Sequence, residues 1–117
     1  PKAKILADTL DSAIEDLLKN GKSPMRKVGE LDNRGSHFYL AMYWANELAA
    51  QTKDVDLKAT FEKVSAQLKE NESSIIEELN NAQGDMESIK GYYLPDEIIT
   101  FSLMRPSKTL NEIIDSI

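Results

Sequence analysis

The chain has 117 residues, of which 41% are hydrophobic and 29% are charged, as expected for one globular domain with its own core. Its net charge of −6 disfavours nucleic acid as a partner, and no apolar run approaches the roughly 18–20 residues of a membrane-spanning helix. The absence of cysteine excludes disulfides, thiolate metal sites and a cysteine nucleophile, and it agrees with a cytoplasmic location.

The first predicted element is an amphipathic helix from Thr9 to Asn20. Apolar residues recur there at three- and four-residue spacing, so one face of the helix is expected to be buried. Asp8 or Thr9 is expected to cap its start, and Asn20-Gly21 to end it. Ser23-Pro24 then breaks the pattern, which predicts an ordered, basic connection up to Leu31.

A second and longer helix is predicted from Asp32-Asn33, which supply the cap, over about 17 residues to near Gln51. Its buried face is expected to hold Leu40, Ala41, Trp44, Ala45 and Leu48, with Phe38 and Tyr43 at the flanks.

Two further helices follow in the middle of the chain. Asp54 is expected to open one of them, with an apolar stripe at Leu57, Phe61, Val64 and Leu68. Asn71 is expected to cap the next, with Ile75, Ile76 and Leu79 on its buried face, and Gly84 to end it.

The last third is predicted to contain a loop, from Asp85 to Pro95, and two short helices. One covers Asp96 to Met104, and Ser107 caps the final one. No stretch alternates apolar and polar residues long enough to indicate a strand. We therefore predict an all-α fold, an irregular bundle of five or six helices formed by residues 1–117 as a single segment.

The start of the second helix carries the residues best suited to chemistry. A helix N-terminus presents unpaired N–H groups and the positive end of the dipole, which together favour anions. Arg34 offers a planar fork of donors suited to phosphate. Candidate contributors beside it are Asn33, Ser36, His37 and Arg26, and Gly35 would allow close approach of a ligand or another backbone.

Interpretations without a ligand remain open for the same residues. Asp32-Asn33 is a common helix cap, an arginine beside it often only pairs with a carboxylate, and His37 can have a purely structural role. The acidic residues of the first helix, Asp11, Glu15 and Asp16, are expected on a solvated face, and no residue spacing indicates a metal site.

The string from Ser23 to Leu40 (SPMRKVGELDNRGSHFYL) resembles the C-terminal region of monomeric NADP-dependent isocitrate dehydrogenases. The likeness continues through Ala41 to Ala45, Gly91-Tyr92-Tyr93 and Met104 to Ser107, and covers essentially the whole chain.

That family converts isocitrate and NADP to 2-oxoglutarate, carbon dioxide and NADPH, with magnesium or manganese. The resemblance implies that this chain is part of the domain built from both ends of a longer polypeptide, here called the parent enzyme. It implies that the remainder of the parent is the partner of this chain. That remainder would contain the metal-binding residues and most of the residues that bind isocitrate. It also implies that an arginine contacts the 2′-phosphate of NADP, a role we assign to Arg34, with Arg26 as the fallback. The chain alone is expected to be inactive.

Two other functions stay open at this point. A free-standing helical interaction domain would have a closed core without a large apolar patch. A small anion-binding module would bind a phosphate ligand at the start of the second helix without a partner.

Overall fold

The computed structural model describes residues 2–24, 31–82 and 105–117. These ranges contain five α-helices and no strand, so the predicted all-α fold is confirmed. The helices are α1 (Lys2–Lys19), α2 (Asn33–Ala50), α3 (Val55–Glu70), α4 (Glu72–Asn81) and α5 (Lys108–Asp115). The predicted loop at 85–95, the short helix at 96–104 and the stop at Gly84 lie outside the described residues.

Helix α1 begins earlier than the sequence predicted and ends where it predicted. Asp8 and Thr9 lie inside the helix, so their predicted capping role is wrong: the Thr9 hydroxyl donates back to the carbonyl of Ile5 at 2.7 Å. At the other end Gly21 takes a φ of +66°, and the N–H of Lys22 donates to the carbonyl of Leu17 at 3.0 Å. This left-handed glycine turn satisfies the last carbonyls of α1.

Helix α2 is the central element, because α1 and α3 both pack along it. Its predicted bounds are confirmed, and its buried face is confirmed in part, since Ala45 and Leu48 are buried as predicted. Phe38, Tyr39 and Met42 are buried, whereas the predicted core residues Leu40, Ala41 and Trp44 are only half-buried. A helix with neighbours on two sides has no single apolar stripe, so periodicity alone identifies only part of its buried surface.

Helices α3 and α4 are separated by a single residue, Asn71. The predicted cap of α3 is confirmed, since Oδ1 of Asp54 accepts from the N–H groups of Asp56 and Leu57, each at 3.0 Å. Asn71 is the N-cap residue of α4, as predicted, but its side chain makes no capping hydrogen bond to that helix: Nδ2 of Asn71 donates instead to the carbonyl of Gln67 at 2.8 Å. Asn71 therefore closes the end of α3.

The short helix α5 packs on α3 and α4. The predicted cap is confirmed, because Oγ of Ser107 accepts from the N–H of Leu110 at 3.1 Å. Arg105 fastens the preceding turn to the helix: its Nε donates to Oδ1 of Asn111 at 3.1 Å, and Nδ2 of Asn111 donates to the Arg105 carbonyl at 2.9 Å.

Apolar side chains from four helices form one core around α2. Four of its buried members come from α2, two each from α3 and α4, and one from α5: Phe38, Tyr39, Met42, Ala45, Val64, Leu68, Ile75, Leu79 and Ile113. None of the described helices is both long and apolar enough to cross a membrane.

Polar side chains also connect α2 to three neighbours. Nε1 of Trp44 donates to Oγ1 of Thr9 on α1 at 3.1 Å, and the Ser65 hydroxyl of α3 donates to Oδ1 of Asn46. The Tyr39 hydroxyl donates to Oε2 of Glu72 on α4 at 2.8 Å, and burial together with this carboxylate raises the pKa of Tyr39. Tyr39 therefore stays a neutral donor in the core.

Replacing Ile75 with alanine tests the importance of this core. Ile75 is fully buried, so the truncation should lower the free energy of unfolding by about 2–5 kcal/mol through lost burial and a residual cavity. Urea unfolding followed by circular dichroism measures the change. The exposed Val55, truncated in the same way, should change it by less than about 0.5 kcal/mol. Equal effects of the two substitutions would contradict this core assignment.

Candidate anion site at the start of α2

The first turn of α2 is organised by Asp32. Its Oδ1 accepts from the N–H of Gly35 at 2.9 Å, and its backbone carbonyl accepts from the N–H of Ser36 at 2.9 Å. Asp32 itself has an extended backbone, as an N-cap residue requires. The helix end is thus fixed by one side chain.

The same carboxylate also orients Arg34. Nε and Nη2 of Arg34 donate to Oδ2 of Asp32 at 2.9 and 2.7 Å. The side chains are 20% and 24% exposed, so the pair is at the edge of the protein, partly screened from water. The interpretation as a cap with an ion pair is therefore confirmed as a description of the local structure. It leaves a guanidinium held in one orientation at the positive end of a helix.

Asn33 and His37 lie one turn apart on the outer face of α2. Both are exposed, and their spacing of four residues places them on the same side of the helix. A ligand reaching Arg34 from solvent would meet these two side chains in the same turn.

Ser36 and Gly35 face inward instead. Ser36 is only 4% exposed, and Gly35 is buried as well. A Cβ at Gly35 would collide with Cδ1 of Leu31, which packs against the core. The absence of a side chain at Gly35 therefore lets Leu31 pack closely against the helix. It does not make room for the ligand or second backbone that the sequence suggested.

The one remaining predicted contributor, Arg26, is the fallback for the phosphate contact, and it lies outside the described residues. The string Gly91-Tyr92-Tyr93, which belongs to the family resemblance, also lies outside them. Within the part of the chain that is described, no three histidine or acidic side chains lie close enough together to hold a metal ion.

A carboxyl pair between α1 and α2 was missed by the sequence analysis. Glu47 shares a hydrogen bond with Asp16, and this bond, burial and the charges of Asp16 and Glu15 raise the pKa of Glu47. Asp16 is half-buried, so the expectation of a fully solvated acidic face is wrong at this position. The sequence offers no indication, because nothing in the spacing reveals which helix covers the face of another.

A family model described as monomeric isocitrate dehydrogenase matches residues 1–115 of this chain. The chain belongs to the monomeric isocitrate dehydrogenase family. The resemblance seen in the sequence is thereby confirmed across nearly all of its length.

Curated relatives within this family agree with the match. Isocitrate dehydrogenase (NADP) 2 of a Psychrobacter species is 59% identical over 116 residues, and the namesake from Mycobacterium tuberculosis is 54% identical over 116 residues. The isocitrate dehydrogenase (NADP) of Azotobacter vinelandii is 55% identical over 111 residues. These alignments cover 99%, 99% and 95% of this chain, but only 16%, 16% and 15% of the relatives. The chain therefore spans about one sixth of the length of the curated relatives that it matches.

Substitution of Asp32 separates its two roles. Asp32→Ala should lower the free energy of unfolding by about 1 kcal/mol, because the Gly35 N–H loses its acceptor. Asp32→Ser should restore most of this stability, since serine caps as well as aspartate does. Thermal unfolding of the two variants makes the comparison. Equal destabilisation by alanine and serine would show that the ion pair, and not the cap, stabilises α2.

The carboxyl pair predicts a pH effect with a defined sign. The folded-state pKa of Glu47 is raised, so the stability it contributes is present below the unfolded pKa and is lost as pH rises through the folded pKa. Glu47→Gln should therefore raise the unfolding temperature at pH 7 and weaken the dependence of that temperature on pH above about 4, where an unfolded glutamate begins to ionise. The matched control is the exposed Glu77→Gln on α4, which should leave both unchanged. A lower unfolding temperature for Glu47→Gln at pH 7 would refute the repulsive pair.

Proposed function

We propose that this chain is the C-terminal segment of an NADP-dependent isocitrate dehydrogenase, which oxidatively decarboxylates isocitrate to 2-oxoglutarate. In that parent enzyme the segment provides helical scaffold and one direct contact, from Arg34 to the 2′-phosphate of NADP. The observation that supports the contact most strongly is the orientation of the Arg34 guanidinium by Asp32 at the N-terminal end of α2.

Electrostatics at this helix end favour an added anion. The N-terminus of α2 carries a partial positive charge, and the Arg34 guanidinium adds a full one beside it. Asp32 offsets the charge of the guanidinium, so the partial positive charge of the helix end is what favours the 2′-phosphate, which carries up to two negative charges. Because Asp32 already restricts the guanidinium, binding loses less side-chain entropy than it would with a mobile arginine.

Arg34 also suits discrimination between the two nicotinamide cofactors. NADP differs from NAD by the 2′-phosphate alone, and a charged, planar group of N–H donors recognises that phosphate specifically. Asn33 and His37 are exposed on the same turn and can add further donors to the phosphate or its ribose. Ser36, being buried, would support the turn and not touch the ligand.

The chemistry itself belongs to the rest of the parent. Hydride transfer requires isocitrate and nicotinamide to be held against each other, and the magnesium or manganese ion supplies polarisation of the substrate oxygen. The helix end described here provides a contact to one end of the cofactor only. We therefore propose that the metal and isocitrate are bound outside this segment, and that the 117-residue chain is inactive alone.

Arg34→Ala in the parent enzyme tests the assignment. Loss of a charge-assisted contact of about 1.5–3 kcal/mol should weaken NADP binding by roughly 10- to 150-fold and leave NAD binding nearly unchanged. Titration calorimetry with each cofactor measures both affinities. Arg34→Lys should retain part of the NADP affinity, because the charge stays while the planar fork is lost.

Arg105→Ala is the matched control, because Arg105 is also an arginine that hydrogen-bonds to a side chain near a helix end, although it is more exposed, at 36% against 20% for Arg34. It should change neither affinity. Equal losses of NADP and NAD affinity in Arg34→Ala would contradict the 2′-phosphate contact and give Arg34 a structural role.

A further inference from the structure

An apolar groove crosses the molecule between α1, α2, α3 and α5, away from the start of α2. Its volume is about 140 Å³, and its floor is formed by core residues of α2 and α3. The walls come from the ends of the bundle, with Leu6 on α1 and three isoleucines at the end of the chain. The complete lining is Leu6, Ala41, Trp44, Ala45, Leu48, Phe61, Val64, Leu68, Leu110, Ile113, Ile114 and Ile117.

The rim of this groove exposes large apolar side chains. Ile114 is 44% exposed and Ile117 is 61% exposed, although both continue the apolar stripe that begins with the buried Ile113. A closed helical domain would turn these residues into its own core. The half-buried Trp44 and Ala41, which the sequence assigned to the core, line the same groove.

A second depression continues the groove between α3 and the end of the chain. It has a volume of about 450 Å³ and shares Val64 and Ile117 with the groove, but Thr60, Lys63 and Gln67 give it a polar side. An apolar groove that opens into a wider, partly polar depression fits an extended segment of polypeptide better than a single small molecule.

We propose that this groove is the docking site for an apolar segment of the remaining parent polypeptide, anchored by one large aliphatic or aromatic side chain. The proposal rests on the proposed function only in placing the chain within a longer parent. A volume near 140 Å³ matches an apolar cavity that accepts a benzene ring, so it accommodates one such side chain. The anchoring side chain reaches the floor of the groove at Leu48 and Leu68. The backbone that flanks it follows the polar side of the depression.

The length of the relatives supports this occupant. The curated relatives carry this region as only 16% of their length, so most of a parent polypeptide is available to cover the groove. Covering it removes the exposed parts of Ile114 and Ile117 from water, which favours association of the two parts.

A second copy of the chain fits the groove less well. Two copies meeting groove to groove would bring two concave surfaces together and leave both cavities unfilled, which forfeits the packing contacts that make such a contact stable. The exposed apolar pair on α1, Ile14 and Leu18, could enter the groove of a neighbouring copy. That contact would be head-to-tail and would build an open chain of molecules unless its rotation happened to close.

Thiol labelling of the full-length parent tests the groove directly. Single cysteines replace Ile117 in the groove and Val55 outside it, which are 61% and 72% exposed in this segment. The rate of maleimide incorporation at each position is measured by mass spectrometry. It is then divided by the rate for the same variant unfolded in urea. The docked segment should make Ile117→Cys react at least ten times more slowly than Val55→Cys. Ile114→Cys, a second groove position, should be protected in the same way.

Each result decides between the occupants. Similar rates at the groove and control positions would overturn the docking proposal. Protection that disappears when the parent is diluted to a monomer would also overturn it, in favour of a second copy. Protection that persists on dilution supports it. NADP affinity of the cysteine variants is measured separately, so a failure of the Arg34 assignment leaves this outcome interpretable.

Discussion

Both the fold and the candidate site depend on the hydrogen bonds that the carboxylate of Asp32 accepts. One oxygen accepts the Gly35 N–H and starts α2, and the other accepts two N–H groups of Arg34. Helix α2 is in turn the element along which α1 and α3 pack. A single side chain therefore sets where the central helix begins and how the guanidinium of Arg34, the candidate phosphate-binding group, is oriented. This coupling explains how a cap with an ion pair and an anion site can be the same structure.

Local chemistry was enough to predict most helix bounds. Asp54 and Ser107 cap as expected, because an N-cap depends on the side chain and on backbone groups two or three residues away. Gly21 ends α1 for an equally local reason, since only glycine adopts its left-handed conformation without steric cost. Arg34 could also be selected from the sequence, as an arginine in the first turn of a helix.

Tertiary structure decided the features that the sequence left undetermined or wrong. The buried face of α2 depends on having neighbours on two sides, so Tyr39 and Met42 replaced Leu40 and Ala41 in the core. Asn71 is the single residue between α3 and α4. Its side-chain amide donates to the carbonyl of Gln67 in α3 and makes no bond to the first turn of α4. Gly35 accommodates Leu31, and Glu47 meets Asp16, only because distant parts of the chain are brought together.

The two proposed functional surfaces lie in different parts of the bundle. The start of α2 presents a positive helix end with Arg34, Asn33 and His37, whereas the groove at α5 presents apolar side chains. In the proposed parent enzyme, the first surface would face the cofactor and the second would face the rest of the polypeptide. This division agrees with the length of the isocitrate dehydrogenase relatives, of which the chain spans about one sixth.

The most direct test of the central claim is an NMR titration of the isotope-labelled chain with NADP and, separately, with NAD. If the start of α2 is an anion site selective for the 2′-phosphate, NADP should shift the backbone resonances from Asn33 to His37, and NAD should shift them much less. Equal shifts with both cofactors, or NADP-induced shifts confined to other parts of the folded chain, would contradict it.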